Sequence, residues 1–246
     1  MNNIAFIAAR TGSERMPGKV LKELAGIPSI VHIFNILRET SSINDFAVLT
    51  TSLSEDDAIE DICKKNSVKV FRGSVHDVLD RFRAAAEILK PERIIRVTGD
   101  DPLMDPEIID KVITEHCGGD FDYTSNMVTR TYPRGMDTEV IEYNALEKTW
   151  RTTSDKDDRE HVTLYIRRHP ELFKIHSVEK TGNSYGDLRL CLDTEEDFRL
   201  IKTIYDNLYD KRPIKLDEVI EFIEANPELK NFNSGILQKT VKGRIF

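Results

Sequence analysis

The residues with the clearest chemical character form a short basic segment near the start of the chain. Residues 8–19 read AARTGSERMPGK, in which Arg10, Arg15 and Lys19 stand among glycines and a serine, directly after an apolar run. Small residues let backbone N–H groups approach an anion, and a lysine or arginine neutralises its charge. The segment therefore predicts a phosphate-binding loop. The alternative is a solvated turn between a strand and a helix.

Spacing excludes two common phosphate-binding motifs. The ATPase-type P-loop, G-x-x-x-x-G-K-[ST], does not fit because the interval from Gly12 to Gly18 is one residue too long. Val20 also stands where that motif needs a Mg²⁺-binding hydroxyl. The dinucleotide motif G-x-G-x-x-G does not match the segment either, so the loop indicates another kind of nucleotide site.

Two aspartates elsewhere could complete such a site. Asp100 lies in GDDP after the apolar run RIIRVT, and Asp193 ends the segment DLRLCLD. Ligands of open α/β sheets bind at the carboxyl ends of the strands, where these side chains and the basic loop would meet. Two carboxylates and substrate phosphates are a common ligand set for Mg²⁺. The alternative for Asp193 is a helix cap near Thr194.

The elements that must position these residues alternate between strands and helices. Apolar runs of strand length are IAFIAA, FAVLTT, VKVF and RIIRVT, and segments with helical periodicity lie between them. Because parallel strands need crossover connections, this alternation predicts a mostly parallel sheet with helices on both faces. Asp105 and Pro106 are typical of the start of a helix.

The second half of the chain is less regular. Residues 121–142 predict a small antiparallel insert, and DREHVTLYIRRH, residues 158–169, predicts one helix. FKIHSV and DLRLCLD predict two strands, and Thr194 with Asp197 begins a further helix. We expect a single domain over residues 1–246, with a loosely packed tail from about residue 231.

Composition limits the classes of ligand and location. The 246 residues carry a formal net charge of −8, which argues against general binding to nucleic acid and leaves the basic loop for a small anion. No apolar stretch approaches the length of a membrane span, and we expect a cytoplasmic protein without membrane contact. The three cysteines lack metal-ligand spacing and are expected to be reduced.

The motif order resembles that of a known enzyme family. ARTGSERMPGK, RVTGDDPLMDP and LDTEEDF are similar to the cytidylyltransferases that activate acidic sugars, the acylneuraminate and 3-deoxy-manno-octulosonate cytidylyltransferases. RGSVHDVLDR, YPRGMDTEV and REHVT further resemble the SpsF branch of spore coat polysaccharide biosynthesis proteins. The resemblance implies the α/β three-layer nucleotide-diphospho-sugar transferase fold, with a mostly parallel central sheet and a small antiparallel insert.

The resemblance also implies a nucleotide site. It places the triphosphate of CTP against Arg10, Gly12, Ser13, Arg15 and Lys19, and it adds Ala8 to the residues that bind the nucleotide. It assigns Mg²⁺ to Asp100 and Asp193, with Lys19, Arg15 and Asp100 as the catalytic residues. It places the pyrimidine ring near Arg72, Ser74, Asp77 and Arg81. Asp77 has the alternative of starting a helix.

The acceptor is expected to be a small anionic molecule. The resemblance places it near Arg134, Asp137, Glu139, Glu160 and His161. We expect Arg134 to bind its anionic group, because a guanidinium matches a carboxylate or phosphate in two hydrogen bonds. The alternatives are a solvated loop arginine and, for His161, a polar residue satisfied by its own surroundings.

The expected reaction is attack by an acceptor oxygen on the α-phosphorus of CTP, with pyrophosphate leaving. Lys19 and Arg15 would stabilise the leaving group, and no covalent nucleophile is required. A phosphorylated acceptor giving a CDP product, a glycosyltransferase and a non-catalytic nucleotide-binding module remain alternatives. Relatives of this kind are commonly dimers, so we expect a homodimer with the insert around Tyr132 as a contact arm.

Overall fold

The computed structural model describes residues 2–236 of the chain, and one central sheet organises them. Its seven strands lie in the order β5-β4-β1-β6-β8-β7-β9, and β2 and β3 form a separate hairpin. The strands are β1 Asn3–Ala8, β2 Glu23–Leu24, β3 Ile27–Pro28, β4 Asp45–Thr51, β5 Lys69–Gly73, β6 Arg93–Thr98, β7 Tyr123–Ser125, β8 Glu139–Glu142 and β9 Ile175–Ser177.

The directions of the strands confirm the predicted parallel sheet and antiparallel insert. β5, β4, β1 and β6 pair in parallel. β8 runs antiparallel to both β6 and β7, and β9 then pairs in parallel with β7. The irregular segment after β6 therefore adds its strands to the edge of the parallel half.

Helices cover both faces of the central sheet. They are α1 Ser29–Glu39, α2 Asp57–Lys65, α3 Val78–Leu89, α4 Pro106–Cys117, α5 Tyr143–Thr152, α6 Lys156–His161, α7 Leu164–Arg168, α8 Glu195–Leu208 and α9 Leu216–Ala225. Successive residues of a strand point to opposite faces. Ala5 and Ile7 therefore pack with α1, α2 and α4, whereas Ile4 and Phe6 pack with α3, α5 and α7.

A third apolar cluster lies beside the sheet and corrects one predicted strand. Leu190 and Leu192 are fully buried against α8 and α9, with a single bridge between Arg134 and Arg189 instead of a strand over residues 187–193. The alternating leucines of DLRLCLD thus reflect burial against helices. The sequence analysis also did not identify α5 or α9.

The predicted helix over residues 158–169 is interrupted. Val162 has a φ of +55°, which ends α6 and separates it from α7. A positive φ is unusual for a β-branched residue, and Val162 is fully buried there. The backbone thus leaves helical geometry at a residue whose side chain faces the core.

Two predicted helix starts are confirmed. The carboxylate of Asp105 accepts a hydrogen bond from the backbone of Glu107 at 2.9 Å, with Pro106 as the first residue of α4. Thr194 and Asp197 form a reciprocal capping box at the start of α8. Thr194, rather than Asp193, is therefore the cap, which leaves the carboxylate of Asp193 for other contacts.

The expected tail is described only in part. Phe232 packs against the α8–α9 cluster. The side-chain amide of Asn233 donates to the Asp197 carboxylate at 2.8 Å, so this part of the predicted loose tail is packed. The remainder of that prediction, residues 237–246, lies outside the described residues. None of the helices in residues 2–236 combines the length and hydrophobicity needed to cross a bilayer.

Candidate active site

A cavity of about 370 Å³ lies at the carboxyl ends of β1 and β6. Ala8 and Thr98, the last residues of these strands, are register partners. The cavity is lined by Ala8, Ala9, Arg10, Ser13, Glu14, Arg15, Lys19, Val20, Val78, Arg81, Arg96, Thr98, Gly99, Asp100, Glu160, His161 and Asp193. The two strand ends approach closely because Gly99 has no side chain: a Cβ there would lie 2.8 Å from the Cβ of Ala9.

The basic loop is fixed by backbone hydrogen bonds and by a buried carboxylate. Gly18 has a φ of +70°, which suits glycine, and its N–H donates to the carbonyl of Thr11 at 2.8 Å. The backbone N–H of Thr11 donates to Asp56 at 2.7 Å. Burial opposes ionisation of Asp56, but hydrogen bonds from Thr51 and Thr11 hold its pKa below the usual value. This role of Asp56 was not predicted from the sequence.

The loop delivers Lys19 to both predicted metal ligands. Its Nζ donates to Asp193 Oδ1 at 3.1 Å and also contacts Asp100 Oδ2. Arg15 contacts the other oxygen of Asp193. The structure therefore brings together four groups that the sequence analysis predicted from three distant segments.

The charge state of the two aspartates in GDDP differs. Burial disfavours ionisation of Asp100, but the Lys19 ammonium and hydrogen bonds hold its pKa below the usual value. Burial and the neighbouring Asp100 carboxylate raise the pKa of Asp101 well above the usual value. Asp101 is 3% exposed and accepts a hydrogen bond from Thr98. Asp100 is therefore the charged member of the pair, and it faces the cavity.

Asp193 reaches the cavity through hydrogen bonds of an extended segment. The N–H of Leu192 donates to the carbonyl of Asp100 at 2.7 Å, which joins the two segments directly. Arg189 Nη2 donates to Asp193 at 3.2 Å, and the Arg189 Nε donates to the buried Asp197 at 2.9 Å. Arg189 and Asp197 thus fix the position of Asp193. The place of Arg189 between Leu188 and Leu190 in the sequence did not reveal this role.

The ligand chemistry suits Mg²⁺ in combination with a substrate. Asp100 and Asp193 converge on one ammonium group, so their oxygens already surround a single positive charge. Residues 2–236 contain no cluster of three or more histidine, cysteine, aspartate or glutamate side chains suited to a metal. Mg²⁺ commonly takes one or two carboxylates and completes its shell with water and substrate phosphates. The residues present fit that mode.

The residues predicted to surround the pyrimidine do not all line the cavity. Arg81 lines the cavity, is 2% exposed and donates to the carbonyl of Ser74 at 2.6 Å. Arg72 lies outside the cavity and donates to the carbonyl of Leu53 and to Asp57, both at 2.6 Å.

Asp77 starts helix α3, as the alternative to a role in pyrimidine binding predicted. It caps α3 by accepting a hydrogen bond from Asp80, and it accepts another from Arg159 at 2.5 Å. The Ser74 hydroxyl accepts from the backbone of Asp77 at 3.1 Å. These contacts hold the start of α3 beside the cavity, and Arg81 is the member of the predicted set that lines it.

Of the predicted acceptor residues, some line the main cavity and others do not. Glu160 and His161 line the cavity, and burial lowers the pKa of His161. Asp137 accepts from Arg130 at 2.8 Å, and Arg134 lines a second cavity of about 500 Å³ near Arg189. The structure therefore does not bring Arg134 or Asp137 into the main cavity, and their assignment to the acceptor stays a prediction.

Glu139 lies behind the cavity wall. It is 1% exposed, accepts a hydrogen bond from Tyr123 at 2.6 Å and contacts Arg96, which does line the cavity. The sequence analysis did not identify Arg96. The sequence did hold a signal for it, a charged residue inside the apolar run RIIRVT. Arg96 stands two positions before Thr98, so both side chains lie on the same face of the strand.

Comparison with known proteins gives consistent similarities. A family profile described as cytidylyltransferase matches residues 4–237. The chain is 38% identical to spore coat polysaccharide biosynthesis protein SpsF of Bacillus subtilis, over 93% of this chain and 97% of the relative. It is 31% identical to 3-deoxy-manno-octulosonate cytidylyltransferase 2 of Hydrogenovibrio crunogenus, over 57% of each chain. A solved cytidylyltransferase from Leptospira borgpetersenii superposes with a TM-score of 0.89 at 30% identity, covering 98% of this chain and all of that one.

Proposed function

The chain belongs to the cytidylyltransferase family, and on that premise we propose that it transfers CMP from CTP to an acidic sugar or a related anionic acceptor, with release of pyrophosphate. The observation that carries the proposal is the convergence of Lys19, Arg15, Asp100 and Asp193 in one cavity. This set combines cations for a triphosphate with carboxylates for a metal ion.

The loop supplies the charge that phosphoryl transfer needs. Arg10, Arg15 and Lys19 line the cavity and would neutralise the phosphates as pyrophosphate leaves. Such reactions depend mainly on positioning and electrostatic stabilisation, so the protein does not need a covalent nucleophile. Because Lys19 is held by two carboxylates, its ammonium group is in place before the nucleotide arrives.

Asp100 and Asp193 would hold Mg²⁺ together with phosphate oxygens of the substrate. A bound Mg²⁺ supplies positive charge at the reacting phosphate. Lys19 would then donate to a phosphate oxygen in place of one of these carboxylates. The Arg189 contact keeps Asp193 oriented throughout, because Arg189 is itself fixed by Asp197.

The acceptor would occupy the part of the cavity near Glu160 and His161. The carboxylate of Glu160 can accept hydrogen bonds from sugar hydroxyls. Burial lowers the pKa of His161, which favours the neutral ring with one donor and one acceptor nitrogen. The names of the relatives, a polysaccharide biosynthesis protein and a sugar-acid cytidylyltransferase, support an acidic sugar used for surface polysaccharide synthesis.

A pyrophosphate-release screen tests the proposed function. The wild-type protein with Mg²⁺ should release pyrophosphate from CTP in preference to ATP, GTP and UTP, and only when an acidic sugar is present. 3-Deoxy-manno-octulosonate and N-acetylneuraminate are the first acceptors to use. Release with phosphorylated acceptors alone would favour the CDP-product alternative. CTP binding without pyrophosphate release across the whole panel would contradict catalysis.

The expected homodimer and cytoplasmic location remain proposals. Light scattering of the purified chain measures its mass directly, and a mass near twice the 28.2 kDa of one chain would support the dimer. Fractionation of the cells that produce the protein tests its location.

A further inference from the structure

Arg96 is a cavity residue that the triphosphate loop does not account for. It lies on β6, and its side chain lines the cavity together with Glu160 and His161. It precedes Asp100 by four residues, a separation of at most about 14 Å along an extended chain. One small ligand could therefore contact both Arg96 and the predicted reaction centre at Asp100. Arg96 lies on a strand and not on a loop.

A buried carboxylate fixes the orientation of this arginine. Arg96 and Glu139 are register partners on β6 and β8, and Arg96 Nη1 donates to Glu139 Oε1. The second oxygen of Glu139 accepts a hydrogen bond from the Tyr123 hydroxyl at 2.6 Å. Burial raises the pKa of Glu139, but the charges of Arg96 and Arg167 outweigh this effect and hold it below the usual value. Glu139 is thus an ionised group that aims Arg96.

The guanidinium retains donors for a ligand. An arginine carries five N–H groups in a fixed planar fork. Within residues 2–236, Glu139 is the acceptor for Arg96, and the buried Nε has no hydrogen-bond partner. Buried donors are normally satisfied. Arg93 Nη1 also lacks a partner, but of the two arginines only Arg96 lines the cavity, so its Nε can find an acceptor on a bound ligand.

We propose that Arg96 binds the carboxylate of the acceptor and that Glu139 and Tyr123 are positioning residues for it. The inference rests on the proposed function and adds to it the group that selects acidic over neutral acceptors. A planar fork suits a carboxylate, and the contact is strong because both partners are charged and partly desolvated. This assigns to Arg96 the role that the sequence analysis gave to Arg134.

The test compares an acidic acceptor with its neutral carboxamide. The acid is the one that gives the highest rate in the pyrophosphate screen, and both forms are measured with wild type and with Arg96→Gln. In the variant, the KM for the acid should rise on the order of 100-fold, while the KM for CTP stays within about twofold. The preference of wild type for the acid over the amide should fall by a similar factor.

Two further variants separate binding from folding. Arg96→Gln removes one of the charges that keep the buried Glu139 ionised, so the double variant Arg96→Gln/Glu139→Gln is measured as well and should show the same loss of acid preference. Arg93→Gln is the matched control. Arg93 lies on the same strand and donates to Glu142 of β8 at 2.6 Å, but it lies outside the cavity and should leave both KM values unchanged.

Each outcome decides the assignment. If Arg96→Gln kept the preference for the acid, or lost the same factor of activity with the acid and with the amide, Arg96 would have a structural role. The proposed function would remain intact. Failure of wild type to use any acidic acceptor would instead overturn the proposed function, and this inference with it. A loss of preference in Arg93→Gln equal to that in Arg96→Gln would also contradict the assignment.

Discussion

Replacement of Lys19 by alanine is expected to lower kcat/KM for CTP by at least about 100-fold, while the protein remains folded. The ammonium of Lys19 contacts both predicted metal ligands, Asp100 and Asp193. Loss of one preorganised charge at a reacting phosphate typically costs about 2.7–4 kcal/mol of transition-state stabilisation. Steady-state pyrophosphate release and thermal unfolding, both with Mg²⁺ present, measure the two effects.

Lys22 provides the matched control for this prediction. It lies three residues further along and donates to Glu195 at 2.8 Å, in a pair whose glutamate side chain is 64% exposed. Exposed ion pairs of this kind contribute little to the stability of the fold. Lys22→Ala should therefore retain nearly full activity. If folded Lys19→Ala were as active as Lys22→Ala, the loop would have no part in catalysis.

Asparagine at Asp100 or Asp193 should reduce activity by a comparable factor and raise the Mg²⁺ concentration needed for half-maximal rate. Each variant keeps the shape of the side chain but removes a charge that the metal ion needs. The double variant should be little worse than the worse single variant, because residues that act as one unit show non-additive losses. Mg²⁺ titration of the rate, at fixed CTP and acceptor, measures all three.

Thr194→Ala separates the metal role of Asp193 from a helix-cap role. Thr194 is the residue that caps α8, so its loss should lower the free energy of unfolding by about 1 kcal/mol and leave the Mg²⁺ requirement unchanged. If Asp193→Asn lowered stability alone and kept a wild-type Mg²⁺ dependence, Asp193 would be a structural residue. Independent, multiplicative losses in the double variant would likewise speak against a shared ion.

The parallel half of the fold could be predicted because its signals are local. Each of β1, β4 and β6 is an apolar run, and the helices between them have one apolar face. DLRLCLD has the same period of two, yet its leucines pack against helices of the third apolar cluster. A periodic pattern predicts which side chains are buried, but it does not identify the partner that buries them.

The candidate site could be predicted where charge and spacing were unusual. The basic loop and Asp100 follow the apolar strands β1 and β6, and strand ends are where ligands of such sheets bind. Asp193 was predicted by the same argument, although the segment before it is not a strand. The cavities that Arg96 and Arg134 line could not be predicted, for a common reason. Which cavity an arginine faces depends on long-range pairing, here of Arg96 with Glu139 and of residue 134 with residue 189. That pairing has no local signal in the sequence.

The fate of each phosphate of CTP shows whether the enzyme transfers CMP to the acceptor. Wild type is incubated with Mg²⁺, an acidic sugar and CTP that carries ³²P at either the α or the γ position. We expect the α label in a product that contains the acceptor and the γ label only in pyrophosphate, and both should appear at the same rate. Release of the α label in CDP, or the absence of any acceptor-linked α label, would contradict CMP transfer.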